Sequence, residues 1–274
     1  ETTTSLAAGA AKKALENSGL RAEEIDLVMV ATITSDTDTP STACRVQGEL
    51  GALNAVAFDI NAACAGFLYG LHIADAFIRS GIYRNVLLIG AETLSKLLDW
   101  TDRSTCVLFG DGAGAAVLTA SEKGGLIART VGSNGGKWEV LSCMGRPNQN
   151  PVCKSSASAG YLRMDGQEVF KFAVKTVPAC IEKTLQDAKL SAEEITYYLL
   201  HQANKRIIQS VAKRLKQSEE KFPMNIEQCA NTSAASLPIL LAQMNEQGRL
   251  HPGDKLVLSG FGAGLTWGAC ILEW

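Results

Sequence analysis

The sequence predicts an α/β protein made of two duplicated halves, and three observations carry that prediction. Ala22-Glu23-Glu24-Ile25 follows a helical pattern and precedes the apolar run 27–31; far downstream Ala192-Glu193-Glu194-Ile195 does the same before the run 197–200. A longer unit also recurs: helix, Ser80-Gly81, strand 85–91, Gly110-Asp111-Gly112-Ala113-Gly114 and apolar run 115–118 in one half. Its copy is helix, Gln247-Gly248, strand 255–259, Gly260-Phe261-Gly262-Ala263-Gly264 and run 267–272. The strands are continuous apolar runs rather than alternating ones, the pattern of strands covered on both faces.

The elements follow in order. Leu6, Ala10, Ala14 and Leu15 recur at helical spacing before Gly19. Strands are predicted at 27–31 and 56–60, then a helix from Cys64 to Arg79 and a strand at 85–91. The second half opens with a strand at 125–131, then a helix carrying Val177, Ile181 and Leu185. Strand 197–200 leads to a helix from near Lys205, and a further helix runs from near Asn231 to about Asn245. The halves are thus 1–123 and 124–274. Cys64 in one half and Asn231 in the other are expected to open equivalent helices. Strand 125–131 has no counterpart before the first helix, because Glu1 already opens that helix. A leading strand and its loop are therefore expected to be missing from this chain.

With 274 residues, 46% apolar and 20% charged, the chain can bury a large core. A net charge of -2 excludes a general nucleic-acid footprint. No run approaches the roughly 18 to 20 apolar residues of a membrane helix. The eight cysteines show no metal-finger spacing and there are only three histidines, so no metal site is expected. They read as reduced thiols of a cytoplasmic protein.

Three residues stand where strands meet loops or helices. Cys64 lies in Asn61-Ala62-Ala63-Cys64-Ala65-Gly66-Phe67, where a helix N-terminus favours thiolate and small neighbours leave room for substrate. His201 ends an apolar strand, the end that forms the crevice of α/β folds. Asn231 begins Asn231-Thr232-Ser233-Ala234-Ala235-Ser236 and could equally be a helix cap. His72, within a helix, and His251, in a turn, carry less weight. Gly262-Ala263-Gly264 reads as a tight turn whose N–H groups can face a site. Thiol, imidazole and carboxamide together suffice for acyl transfer through a thioester.

These strings, with Thr101-Asp102-Arg103, Phe109-Gly110-Asp111-Gly112-Ala113-Gly114, His201-Gln202-Ala203-Asn204 and Phe261-Gly262-Ala263-Gly264-Leu265-Thr266-Trp267-Gly268, resemble the 3-oxoacyl-[acyl-carrier-protein] synthase III family over essentially the whole chain. The resemblance implies the thiolase fold, a duplicated α/β structure in five αβαβα layers. It implies the initiating condensation of type II fatty-acid synthesis, in which an acyl-CoA, with acetyl-CoA the expected starter, joins malonyl-acyl-carrier protein. Cys64 would carry the acyl group, the N–H groups of Cys64 and Ala263 would hold the oxyanion, and His201 and Asn231 would stabilise the enolate left by decarboxylation. Phe261 matches the aromatic residue thought to favour that step. Asn231 separates this class from elongating enzymes, with a second histidine there, and thiolases, with a second cysteine.

The resemblance also implies a CoA and pantetheine tunnel lined by Arg103, Gly166, Phe170, Ala203 and Asn204. Arg206, Lys213 and Arg214 share one helix face and would dock the acidic carrier protein. No cofactor is implied, since acyl-CoA and malonyl-acyl-carrier protein are substrates; a homodimer is. In the family a glycine usually stands at position 230 and the leading segment supplies a tryptophan and an arginine that clamp the CoA adenine, so Ala230 is expected to alter the local backbone. A paralogous acyltransferase of secondary metabolism and a truncated, non-catalytic homologue are the alternatives.

Overall fold

The computed structural model describes residues 1–148, 150–153 and 160–274. In chain order the first half holds α1 (Thr3–Ser18), β1 (Leu27–Ala31), α2 (Thr42–Leu50), β2 (Val56–Ile60), α3 (Gly66–Arg79), β3 (Asn85–Thr93) and β4 (Asp111–Thr119). The second holds β5 (Gly125–Ser133), the short pair β6 (Leu141–Ser142) and β7 (Arg163–Met164), then α4 (Gly166–Ala188) and β8 (Tyr197–Leu200). It closes with α5 (Lys205–Leu215), α6 (Ile226–Cys229), α7 (Ser236–Glu246), β9 (Lys255–Gly262) and β10 (Thr266–Glu273).

Two four-stranded sheets form, in the orders β2-β1-β3-β4 and β5-β10-β9-β8. Alternation along each strand sorts the side chains into layers. Val28, Val30, Leu87 and Ile89 pack outward with Ala7, Ala11 and Leu15 of α1 and Val46 of α2. Leu27, Met29, Val86 and Leu88 point inward, meeting α3 through Phe67 and Leu71, α7 through Leu237 and Leu240, and Leu199, Leu256 and Leu258 of the second sheet. Tyr198, Leu200, Val257 and Ile271 face the other way, onto Val177 and Ile181 of α4 and Ile208 and Val211 of α5. The result is the five-layered αβαβα thiolase fold.

Local signals set the ends. Thr2 and Ser5 form a capping box on α1, and Gly19, at φ 70°, ends it. Asp165 accepts the Gln167 and Glu168 amides to start α4. The glycine block 110–114 mostly belongs to β4 rather than to a loop. A Cβ on Gly114 would sit 2.6 Å from the Ile239 backbone nitrogen, so glycine lets β4 lie against α7.

The duplication is more regular than the sequence indicated. The 3₁₀ turns Ala63–Ala65 and Ser233–Ala235 are twins, followed by α3 from Gly66 and α7 from Ser236. Ala63 at φ 46° and Ser233 at φ 50° share a left-handed conformation that few side chains adopt. Asn61 Oδ1 accepts the Ala63 amide and Asn231 Oδ1 the Ser233 amide, each two residues on. The expected pairing of Cys64 with Asn231 is therefore corrected: Asn231 is the twin of Asn61, and Cys64 of Ala234. Neither residue opens an α-helix; each sits in the backbone just before one. In the second sheet β5 covers the outer edge of β10, whereas the equivalent edge of β4 carries no strand among the described residues. A cavity of about 650 Å³ lies along that edge, lined by residues 115–121 with Phe67, Leu71 and Leu241, and none of the three candidate residues lines it.

Candidate active site

The pseudo-twofold brings the two 3₁₀ turns face to face between the sheets. Gly90 makes the approach possible, since a Cβ there would lie 2.3 Å from the Ala234 carbonyl oxygen. Cys64, His201 and Asn231 are all buried, at 7%, 3% and 7% exposure.

β9 lies against two of them, Cys64 and His201. The Cβ position of Gly260 is 3.3 Å from His201 Cβ on one side and 3.6 Å from the Cys64 carbonyl oxygen. That of Gly262 is 2.6 Å from Cys64 N and 2.9 Å from Cys64 Cβ, so the strand backbone runs directly against the nucleophile. β9 extends through Gly262, so the expected turn begins one residue later, at Ala263, whose carbonyl accepts from Thr266 Oγ1 at 3.0 Å. Gly262→Ala is expected to displace Cys64 and slow acylation roughly 100-fold, the usual effect of an error near 1 Å at a reacting atom. Acylation rates measured by quenched mass spectrometry check this, and an unchanged rate would contradict the contact.

Asn231 is clamped by its own backbone. Its N–H donates to the Leu108 carbonyl and its carbonyl accepts from Gly110 N–H, both at 3.0 Å. With Oδ1 accepting from Ser233 N–H at 2.9 Å, the carboxamide is oriented so that its NH₂ is the free donor. His201 lies beside Phe261, ring centroids 5.6 Å apart and nearly perpendicular, and Phe261 in turn meets Phe172. Burial pushes the imidazole down to about 4, so His201 is neutral at physiological pH and can donate through one nitrogen. Its Nδ1 has no hydrogen-bond partner among the described residues.

Cys64 departs from expectation. Its place before a helix favoured thiolate, yet burial pushes the thiol up to about 12, opposed by a hydrogen bond from Ser233 and reinforced by the charge of Glu92. Enclosure between the layers thus favours the thiol form.

The remaining candidates lie further out. Arg103 and Gly166 are exposed, Phe170 is 36% exposed on α4, and Ala203 is half-buried. Asn204 caps α5, its Oδ1 accepting the Arg206 amide at 2.8 Å. Arg206, Lys213 and Arg214 are exposed, while Ile207, Ile208, Val211 and Leu215 hold the opposite side of α5 in the core. Ala230 adopts φ 57°, ψ −161°, a region that essentially only glycine occupies. Strain there is worth about 1 to 3 kcal/mol, against roughly 0.4 to 1 kcal/mol for the extra unfolded-state freedom of glycine. Ala230→Gly should therefore stabilise the fold by about 1 kcal/mol and raise Tm by roughly 2 to 4 °C. A thermal melt checks it; a lower Tm would contradict the strain.

Duplicated halves in five layers, with a cysteine, a histidine and an asparagine gathered between the sheets, define a condensing enzyme of thiolase fold. A family model for 3-oxoacyl-[acyl-carrier-protein (ACP)] synthase III matches residues 58–135, and one for its C-terminal part matches 185–274. A beta-ketoacyl-[acyl-carrier-protein] synthase III of Clostridium novyi is 50% identical over 275 residues, spanning 100% of this chain and 85% of the relative. The crystal structure of 3-oxoacyl-[acyl-carrier-protein] synthase III from Aquifex aeolicus superposes with a TM-score of 0.92 at 45% identity, covering 100% of this chain and 85% of that one. A priming beta-ketosynthase from the R1128 polyketide pathway matches at TM-score 0.93 and 37% identity, covering 100% and 82%. The chain belongs to the 3-oxoacyl-[acyl-carrier-protein] synthase III family.

Two residues of this site were not singled out in the sequence. Glu92 ends a buried strand, and Ser233 was named only as part of the Asn231 string. A carboxylate closing the apolar run Val86-Leu87-Leu88-Ile89-Gly90-Ala91 was the available signal.

Proposed function

We propose that this chain performs the initiating condensation of its family with Cys64 as nucleophile, joining an acyl-CoA, with acetyl-CoA as starter, to malonyl-acyl-carrier protein. The observation that carries the reading is the buried Asn231 carboxamide, whose Oδ1 is fixed by Ser233 N–H so that its NH₂ is left to donate, leading into the turn packed against the one that holds Cys64. Cys64 sulfur attacks the acyl-CoA carbonyl, and the N–H groups of Cys64 and Ala263 stabilise the oxyanion. CoA leaves and malonyl-acyl-carrier protein enters. Loss of CO₂ leaves an enolate whose oxygen accepts from His201 and Asn231, and its carbon attacks the acyl-Cys64 thioester, releasing the sulfur. Neutral donors suit this step because neither competes as a base for the carbanion. Phe261, against His201, keeps the malonyl carboxylate in an apolar setting that favours its departure as CO₂.

Arg103, Gly166, Phe170, Ala203 and Asn204 line the path of the pantetheine arm in this reading, with Arg206, Lys213 and Arg214 receiving the carrier protein. Every proton and electron pair moves between side chains and substrates, so the scheme calls for no cofactor. No helix among the described residues is long and apolar enough to cross a membrane. A cytoplasmic homodimer completes the proposal. Incubation with straight and branched acyl-CoAs, followed by intact-mass measurement, tests it: one acyl group should be added per chain, and acetyl fastest. Absence of any adduct would overturn the enzyme reading, and preference for a longer starter would favour a priming role like that of the polyketide relative.

A further inference from the structure

Beneath Cys64 lies a carboxylate that the condensation scheme does not use. Glu92, on β3, is completely buried. Its Oε2 accepts from Thr34 Oγ1 at 2.6 Å and from Thr32 Oγ1 and Ile33 N–H, both at 3.1 Å. Its Oε1 accepts from Ser233 Oγ at 3.0 Å. Among the described residues no cation pairs with it. The turn that carries Ser233 packs against the turn that carries Cys64, so the hydroxyl lies on the side of the site that joins the cysteine turn to the carboxylate.

The duplication supplies an internal control. The twin of Ser233 in the first half is Ala63, with nearly the same left-handed backbone, so the turn itself needs no hydroxyl. In the same register the twin of Glu92 is Gly262 on β9, so the strand end needs no carboxylate. Each group occurs in only one half, Glu92 in the first and Ser233 in the second, and the two meet across the paired turns. Isolated buried carboxylates are costly unless well satisfied, and this one is held by donors alone.

We propose that Ser233 and Glu92 form a proton relay for Cys64, with Ser233 passing the proton between the sulfur and Glu92. On attack the Cys64 S–H bond breaks, its proton passes to Ser233 Oγ, and the Ser233 proton passes to Glu92 Oε1. The sulfur electron pair forms the bond to the acyl carbon. Collapse of the tetrahedral adduct expels the CoA sulfur as thiolate, and the proton returns from Glu92 through Ser233 to give neutral CoA thiol. Burial holds the Glu92 carboxyl up at about 7, well above an ordinary carboxylate and within the range a general base needs near neutrality. The other titratable groups around it are Cys64 itself, His201 across the site, and the Asp36–Lys96 pair beyond Thr34, 3.5 Å apart.

The inference rests on Cys64 being the nucleophile, and the test separates the two. Glu92→Gln keeps the shape and an acceptor for the threonines while turning the Ser233 hydrogen bond around. Ser233→Ala cuts the relay at a position where alanine is already accommodated in the twin turn. Alkylation of Cys64 by iodoacetamide and acylation by acetyl-CoA are followed from pH 5 to 10 for each variant and the parent. The parent rates should rise with Glu92 ionisation and level off near neutrality. Both variants should be roughly 100-fold slower at pH 7, the lower end of the range for general-base catalysis, and should keep climbing with pH toward the thiol's own ionisation. A purely structural role would lower rates without moving the profile. Parent-like profiles in both variants, or in Ser233→Ala alone if Glu92→Gln does not fold, would overturn the relay. Alkylation without any acetyl transfer in the parent would instead overturn the proposed function.

Discussion

Cys64→Ala is expected to abolish both the acyl adduct and condensation while leaving the fold intact. Alanine removes only the sulfur from a position surrounded by Ala62, Ala63, Ala65 and the Gly262 backbone, and its twin in the other half, Ala234, is already alanine. The stability cost should stay near 1 kcal/mol, about the order of burying one small group. The chemical cost is far larger, because no other thiol takes its place. Cys229 stands two residues before Asn231, yet it sits at the end of α6 with its sulfur 3.7 Å from the Gln243 amide nitrogen, outside the turn pair. In a serine protease, removing the nucleophile costs on the order of 10⁶-fold in turnover, and a comparable loss is expected here. Radiolabelled acetyl transfer and product formation check it. Retention of even a tenth of parental turnover would show that Cys64 does not carry the acyl group.

The second large effect belongs to the two donors. Asn231→Ala and His201→Ala should each slow CO₂ release from malonyl-acyl-carrier protein by roughly 10² to 10³-fold, corresponding to about 2.7 to 4 kcal/mol for one oxyanion-hole donor. Neither donor takes part in the first half-reaction, so acyl transfer to Cys64 should change far less. Asn231 carries an added consequence, because its Oδ1 anchors Ser233 N–H. Asn231→Ala should therefore also loosen the turn that faces Cys64, whereas His201→Ala should leave it in place. Separate measurement of acylation and decarboxylation distinguishes the two. Equal losses in both half-reactions would contradict the division of labour.

The sequence made the fold largely legible because both sheets are buried on both faces, which writes each strand as an apolar run, and because the duplication repeats the same helix and strand order. The three central residues were visible through their small neighbours and the family resemblance. What remained hidden depended on backbone geometry. The register of the twin turns emerged only from the matched left-handed angles of Ala63 and Ser233, since the residues that fill them, Ala-Cys-Ala and Ser-Ala-Ala, differ in chemistry. A helix N-terminus, which favours thiolate, can be read from sequence, whereas the burial that pushes the Cys64 thiol up cannot. Glu92 escaped notice because a carboxylate at a strand end is ordinarily exposed; its burial becomes evident only when the second half closes over it. Alanine at 230 was expected to alter the backbone, and the structure shows Ala230 holding a conformation of the kind glycine favours.

The central claim is that Cys64, His201 and Asn231 act as one site in two successive steps. It is tested most directly by acetylating Asn231→Ala and the parent with acetyl-CoA, then adding malonyl-acyl-carrier protein and following intact mass. The account predicts that the parent discharges its acetyl group at once to give 3-oxoacyl-acyl-carrier protein, while the variant keeps its acetyl-Cys64 through the chase. Discharge of the variant at the parental rate would contradict it.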